Sequence, residues 1–273
     1  MIVDTDRVEI PTGVSIGVGC LEDIVRGRGW PLNNAGGFVL ERVGTPLDVV
    51  ARELAAACCI PTDVARHDVM QFIWALNALA LVNIVHRGSR LRRWTDWLVL
   101  AARLIPAAAL PAPVTRRRAL DTETVSRAFA SVLRASGSRV LSISSVSAIA
   151  LLPLVASLGG RGSAFVVAVG LGVGTGLGVG LHEVGHAITL RGVPSALVLR
   201  GRRTFVLHGA VGEVRRSLVA VAGPGLAAAV GLVPVVAGNL LVSPLLVTLG
   251  LPFVAHAVSL SALGGDGRSA CGI

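Results

Sequence analysis

Hydrophobic and polar positions divide this chain into two stretches of different character. Up to about residue 88 the apolar residues come in short groups broken by charges, prolines and glycines. Beyond residue 139 they run together for about twenty residues at a time, the length of helix that crosses a bilayer. In the first stretch Val8-Glu9-Ile10 and Val14-Ser15-Ile16-Gly17-Val18 alternate about Pro11-Thr12-Gly13, which predicts a short β-hairpin. Leu32 to Arg42 predicts a helix that ends before Gly44. Thr45-Pro46-Leu47-Asp48 supplies a cap, a proline for the first helical position and an acid for the first turn, opening a second helix to about Cys59. A third starts near Thr62-Asp63 with Val64, Val69, Phe72, Ile73, Leu76 and Leu79 inward, and Leu81 to Val85 returns as a strand. Two strands, three helices and a final strand make a winged-helix-like α+β module.

Residues 89–139 read as a linker. Trp94 to Pro113 is apolar but holds Asp96, Arg103, Pro106, Pro111 and Pro113. Arg90, Arg92 and Arg93 precede it, and Arg116, Arg117 and Arg118 follow. Positive charge on both sides argues for an interfacial or re-entrant segment rather than a crossing. Asp121-Thr122-Glu123 then caps a short amphipathic helix with Val125, Phe129, Val132 and Leu133 on one face. Val140–Leu158, Ala164–Leu190, Ser217–Ala237 and Leu240–Leu263 follow as four candidate spans. The expected fold is mainly α: a four-span transmembrane helical bundle over residues 140–273 behind the N-terminal domain of residues 1–88.

Composition agrees with a membrane setting. The chain is 53% hydrophobic and only 15% charged, with mean hydropathy +0.73, which excludes an ordinary soluble domain. Its net charge of +9 comes from arginine alone, since no lysine is present. The arginines cluster at the ends of apolar runs, which favours cytoplasmic loops or an anionic membrane face over nucleic acid. The third helix offers only Arg66 and His67, followed by Asp68, so it is a poor DNA reader. Met1 to Glu9 is polar and acidic, and no signal peptide is expected. Cys20, Cys58, Cys59 and Cys271 lack CxxC spacing and are expected as buried reduced thiols.

The loop from Arg191 to Arg216 is strongly basic, with Arg200, Arg202, Arg203 and Arg215 against Glu213. That bias puts the loop and both termini on the cytoplasmic side, which an even number of spans allows. The chemistry lies at the end of the second span, in His182-Glu183-Val184-Gly185-His186. Histidines four residues apart share a helix face and can reach one metal ion, with Glu183 beside them as a general base for water. Asp266, just past the fourth span, falls at the same side and can complete a His-His-Asp zinc site. Ala196-Leu197-Val198-Leu199 and Thr204-Phe205-Val206-Leu207, around Gly201-Arg202-Arg203, predict a hairpin whose edge could hold a substrate extended.

Two resemblances follow from these residues. His182-Glu183-Val184-Gly185-His186, Ala222-Gly223-Pro224 and Asp266-Gly267-Arg268 together resemble the site-2 protease family of intramembrane zinc metalloproteases. The resemblance implies His182, His186 and Asp266 as zinc ligands and Glu183 as catalytic base. Leu32-Asn33, Gly44-Thr45-Pro46-Leu47-Asp48-Val49-Val50 and Ala80-Leu81-Val82 resemble the PqqD-like family, whose members recognise leader segments of ribosomally made peptides. That implies a leader bound as an added strand.

Together they lead to an expectation of a multi-pass cell-membrane endopeptidase with a cytoplasmic N-terminal domain. Its task would be removing the leader from a precursor peptide, as in a daptide-type product. The partners are then the precursor and the lipid bilayer, without nucleic acid. Two alternatives stay open: proteolysis of a membrane-bound regulator, and a non-catalytic membrane scaffold that binds peptide.

Other features carry less. Gly170, Gly172, Gly174, Gly176, Gly178 and Gly180 alternate through the second span, and small residues at four-residue spacing predict close helix packing rather than a nucleotide loop. His256 is a weak ligand candidate and reads as a polar packing or pathway residue, His208 as a hairpin residue, and His67 and His86 as surface residues. Pro234, Pro244 and Pro252 are expected to bend helices.

Overall fold

The structure, a computed structural model, describes residues 4–85, 114–158, 161–200 and 203–260. Among them the chain forms two compact units, Met1–Ala119 with Pro194–Ala210, and Leu120–Val193 with Val211–Ile273. The stretch read as an interfacial segment, Trp94 to Pro113, lies outside the described residues, as do His86, Asp266 and Cys271.

In the first unit, strands β1 (Arg7–Glu9), β2 (Val14–Gly17), β3 (Cys20–Asp23) and β4 (Arg28–Pro31) precede helices α1 (Asn34–Leu40), α2 (Leu47–Cys58) and α3 (Thr62–Ala78), then strand β5 (Asn83–Val85). The expected hairpin between residues 8–10 and 14–18 does not form. β1 instead pairs antiparallel with β5, while β2, β3 and β4 make a separate meander. Period-two alternation sets which face a strand buries but not which strand it pairs with.

The helices lie close to expectation. Asn33 caps α1 by accepting from the Gly36 amide at 2.8 Å. Pro46 sits one place earlier than expected, at the N-cap of α2. Ala65, Val69, Ile73 and Leu76 form the inner stripe of α3, whereas Val64 and Leu79 are exposed. Val8, Leu21, Leu40, Val50, Ile73, Leu81 and Ile84 make the core. Cys20, Cys58 and Cys59 are free thiols as expected, but Cys58 and Cys59 are exposed because the amphipathic pattern of α2 turns its last residues outward.

The same unit contains a sheet assembled from distant parts of the chain. Strand β6 (Thr115–Ala119) pairs with β7 (Ser195–Arg200), which pairs with β8 (Arg203–His208). β7 and β8 form the expected hairpin, and the order β6-β7-β8 leaves β8 at an edge. Arg116, Arg117 and Arg118, read as the positive flank of an interfacial or re-entrant segment, are a strand, so their side chains alternate between its faces. Arg117 points inward, is fully buried, and holds Asp23 through two bonds of 2.7 Å. Asn77 brackets Thr115, accepting from its amide and donating to its carbonyl, and Asn83 does the same for Arg117.

Burial alone would raise the Asp23 carboxyl, but the bonds and charge of Arg117, with Arg26 beside them, outweigh it and hold Asp23 below the usual carboxylate range. A depressed folded value stabilises the fold above the unfolded pKa of about 3.9, and that contribution is lost as pH falls through the folded value. Breaking a buried pair costs about 3–5 kcal/mol. Asp23→Asn is therefore expected to speed amide hydrogen exchange across β2–β4 by at least about 100-fold at pH 7. The difference from wild type should shrink below about pH 4.

The second unit is helical: α4 (Val125–Leu158), α5 (Arg161–Thr189), α6 (Glu213–Leu240) and α7 (Pro244–Ala255), then a 3₁₀ turn (His256–Leu260). Three helical stretches are long and apolar enough to cross a membrane, Val125–Ser157, Ser163–Thr189 and Glu213–Leu240. The expected short amphipathic helix and first span are one continuous helix, α4. Thr124 opens it by accepting from the Arg127 amide, and nothing interrupts the helix at Gly137. Of the residues expected to share one apolar face, Val132 is buried, while Val125, Phe129 and Leu133 are exposed. Leu141, Ile149, Leu154, Phe165, Val233 and Leu240 also point outward, the reverse of a soluble protein. The fourth expected span starts later than predicted, because α6 continues through Leu240 and the chain turns before Pro244. Pro244 starts α7 rather than bending it.

Candidate functional site

Helix α5 is held on two faces by its glycines. Gly170, Gly174 and Gly178 face the α7 side, where a Cβ would meet the Leu245 carbonyl oxygen at 3.2 Å, the Leu249 carbonyl carbon at 3.1 Å and His256 Nε2 at 3.0 Å. Gly172 and Gly176 face α4, with the Ser144 carbonyl oxygen at 2.6 Å from the first and the Val140 carbonyl oxygen at 2.5 Å from the second. Gly180 continues that face more loosely, 3.4 Å from Val140 Cγ2. The alternation seen in the sequence is thus two interleaved four-residue stripes, one for each neighbouring helix. These contacts fix the rotation of α5 and hence the direction in which its last turns point.

Those last turns carry the histidines. His182 and His186 present their Nε2 atoms to each other at 3.1 Å, with the rings edge to face. His186 Nδ1 lies 2.6 Å from the Val219 carbonyl on α6, to which it donates. That bond fixes the tautomer and leaves the lone pair on Nε2, the arrangement of a metal-ligating histidine oriented by a backbone carbonyl. Two imidazole nitrogens on a tetrahedral zinc with bonds of about 2.0–2.1 Å would stand about 3.3 Å apart. The donor pair therefore fits the ion. Glu183 and His186 are both buried, in a helix otherwise almost free of charge.

Helix α6 reaches this site through Ala222-Gly223-Pro224. A Cβ on Gly185 would lie 2.7 Å from the Ala222 carbonyl carbon, and one on Gly223 would lie 2.8 Å from His186 Cδ2 and closer still to Nε2. Absent side chains on both helices let the backbones cross where the imidazole must fit. Pro224 adds a local constraint, since it cannot donate to the preceding turn. At the end of α5, Arg215 donates to the Thr189 carbonyl at 3.1 Å and to the Arg191 carbonyl, placing positive charge at the negative pole of the helix.

The structure brings the His182 and His186 rings together and buries Glu183 at the adjacent position of α5, while Asp266 lies outside the described residues. Among the described residues no group of three or more His, Cys, Asp or Glu side chains forms a metal-holding cluster. The His256 ring lies tilted against His182 with ring centroids 5.0 Å apart, seated where Gly178 leaves space. Its packing role was legible, but its partner was not. Sequence reasoning missed Arg139, a buried arginine on α4 whose charge acts on Glu183. The available signal was an arginine directly before an apolar run, at the junction of the linker and the first expected span. His208 Nδ1 meets the Gly209 carbonyl in the hairpin, and His67 pairs with Gln71 on exposed α3. No protein-family model, curated protein or solved structure matches the chain.

Proposed function

We propose that this chain is an intramembrane zinc endopeptidase that removes a leader from a ribosomally made precursor peptide. The observation that carries the reading is the convergence of His182 and His186 Nε2 at 3.1 Å with Glu183 buried beside them, all inside an apolar helix. His182 and His186 would hold the ion, with Asp266 as the third ligand. When bound, zinc would supply Lewis acidity and make water a competent nucleophile near neutral pH.

Glu183 takes the proton as water attacks the peptide carbonyl and returns it to the departing amine nitrogen. A helical substrate hides its amides in its own hydrogen bonds and must unwind first. The open edge of β8 suits an extended precursor segment, which would add as a strand. Helix α7 and the 3₁₀ turn together extend about 28 Å, close to a bilayer core of about 30 Å. A fourth crossing there puts the basic loop, both termini and the first unit at the cytoplasmic face, as the positive-inside pattern requires.

The test is mass spectrometry of candidate precursors incubated in membranes with wild-type or Glu183→Ala protein. Leader cleavage by wild type alone supports the proposal, and equal processing by both overturns it. The leader-binding role has a separate test, because truncation at residue 88 would strip Asp23 from Arg117 and confound the result. Excess free leader peptide is expected to inhibit precursor cleavage at least about tenfold, by competing for the docking step that raises local substrate concentration. Cleavage of unstructured casein should be unchanged.

A further inference from the structure

A buried arginine inside an apolar helix needs a partner, because an uncompensated charge there is costly. Arg139 lies on α4 at 8% exposure and Glu183 on α5 at 4%. The glycine contacts fix how these antiparallel helices face each other. Gly172 meets Ser144 and Ala148, Gly176 meets Val140 and Ser144, and Gly180 meets Val140. One further turn along α5 brings Glu183 opposite the turn of α4 that contains Arg139, within reach of a long side chain. Gly176 and Glu183 are seven residues apart, so Glu183 continues the face that packs on α4. The Glu183 charge is also a direct influence on the Arg139 guanidinium.

We infer that Arg139 is the positioning residue for Glu183, a buried counter-ion on the neighbouring helix that holds the carboxylate of the general base in place. The inference rests on the reading of Glu183 as that base. A guanidinium is permanently charged and presents several donors in a fixed plane, so it restrains both the location and the rotation of a carboxylate. Helix α5 alone could not do this, because Glu183 retains side-chain freedom even with its backbone locked by glycines.

The experiment uses the full chain in detergent with Arg139→Gln, Arg139→Lys, Glu183→Gln and the Arg139→Gln/Glu183→Gln double variant. Thermal unfolding, zinc bound per chain and cleavage of fluorescein-labelled casein are read for each. Arg139→Gln is expected to keep its zinc and lose about 10²-fold or more in kcat with KM changed less than about threefold. Arg139→Lys should recover at least about tenfold of that loss, since it restores the charge. The melting temperature lost in Arg139→Gln should return in the double variant, because no charge is then left unpaired.

Additive melting shifts, an unchanged kcat, or zinc loss in Arg139→Gln would overturn the assignment. If the melting shifts are coupled while wild type cleaves nothing, the pairing stands and the peptidase reading fails.

Discussion

Glu183→Ala is expected to retain zinc while cleavage falls by about 10²–10⁴-fold, the usual contribution of a positioned general base. His182→Ala and His186→Ala should behave differently, losing the metal together with the activity. The distinction follows from geometry. The two imidazoles converge on one point, whereas Glu183, buried at the next position of α5, is assigned to the proton and not to the metal. Asp266→Ala should fall with the histidines. Zinc content by elemental mass spectrometry and product formation by liquid chromatography–mass spectrometry separate the two classes. Unimpaired cleavage by Glu183→Ala would remove the carboxylate from the mechanism.

The second large effect is expected from a single methyl group. In Gly223→Ala the new Cβ would fall on the His186 ring, with Cε1 at 2.5 Å, closer than any real contact. The ring cannot yield freely, because its Nδ1 is bonded to the Val219 carbonyl on the same helix. Either that bond breaks or the helices separate, and both move Nε2 away from His182. Activity should drop at least about 100-fold, since misplacement by about 1 Å has that effect, and zinc binding should weaken with it. Gly225→Ala is the matched control, two residues away with nothing within 4 Å, and should retain zinc and activity. Equal behaviour of the two variants would count against the crossing of α5 and α6 at this point.

What could be read from the sequence depended on how far each signal reached along the chain. Helices α1 to α3 were legible because caps, apolar spacing and the glycine and proline breaks are local. The pairing of β1 with β5 was not, since it joins residues more than 70 positions apart. β3 and β4 escaped notice because they are short and carry Glu22, Asp23 and Arg28, although Gly19 and Gly27 mark their turns with positive φ. Arg117 was misread for the same reason. A cation in a run of three looks solvated until its carboxylate partner, 94 residues earlier, is known. At the candidate site the four-residue spacing of the histidines was enough to place both rings on one face. The carbonyl that orients His186 and the arginine beside Glu183 belong to other helices. The helix break expected near residue 140 failed because hydropathy changes there while backbone hydrogen bonding does not.

The shared sheet constrains how this chain can be recombined. Strand β6 immediately precedes the first long apolar helix, and β7 and β8 occupy the link between the second and third. An exchange of N-terminal halves at residue 88 between diverged homologues would bring in a new cradle for a resident Arg117. A foreign equivalent of Asp23, Asn77 and Asn83 would have to match it at once. Chimaeras designed to redirect specificity should therefore transplant residues 114–119 and 195–208 along with the N-terminal segment.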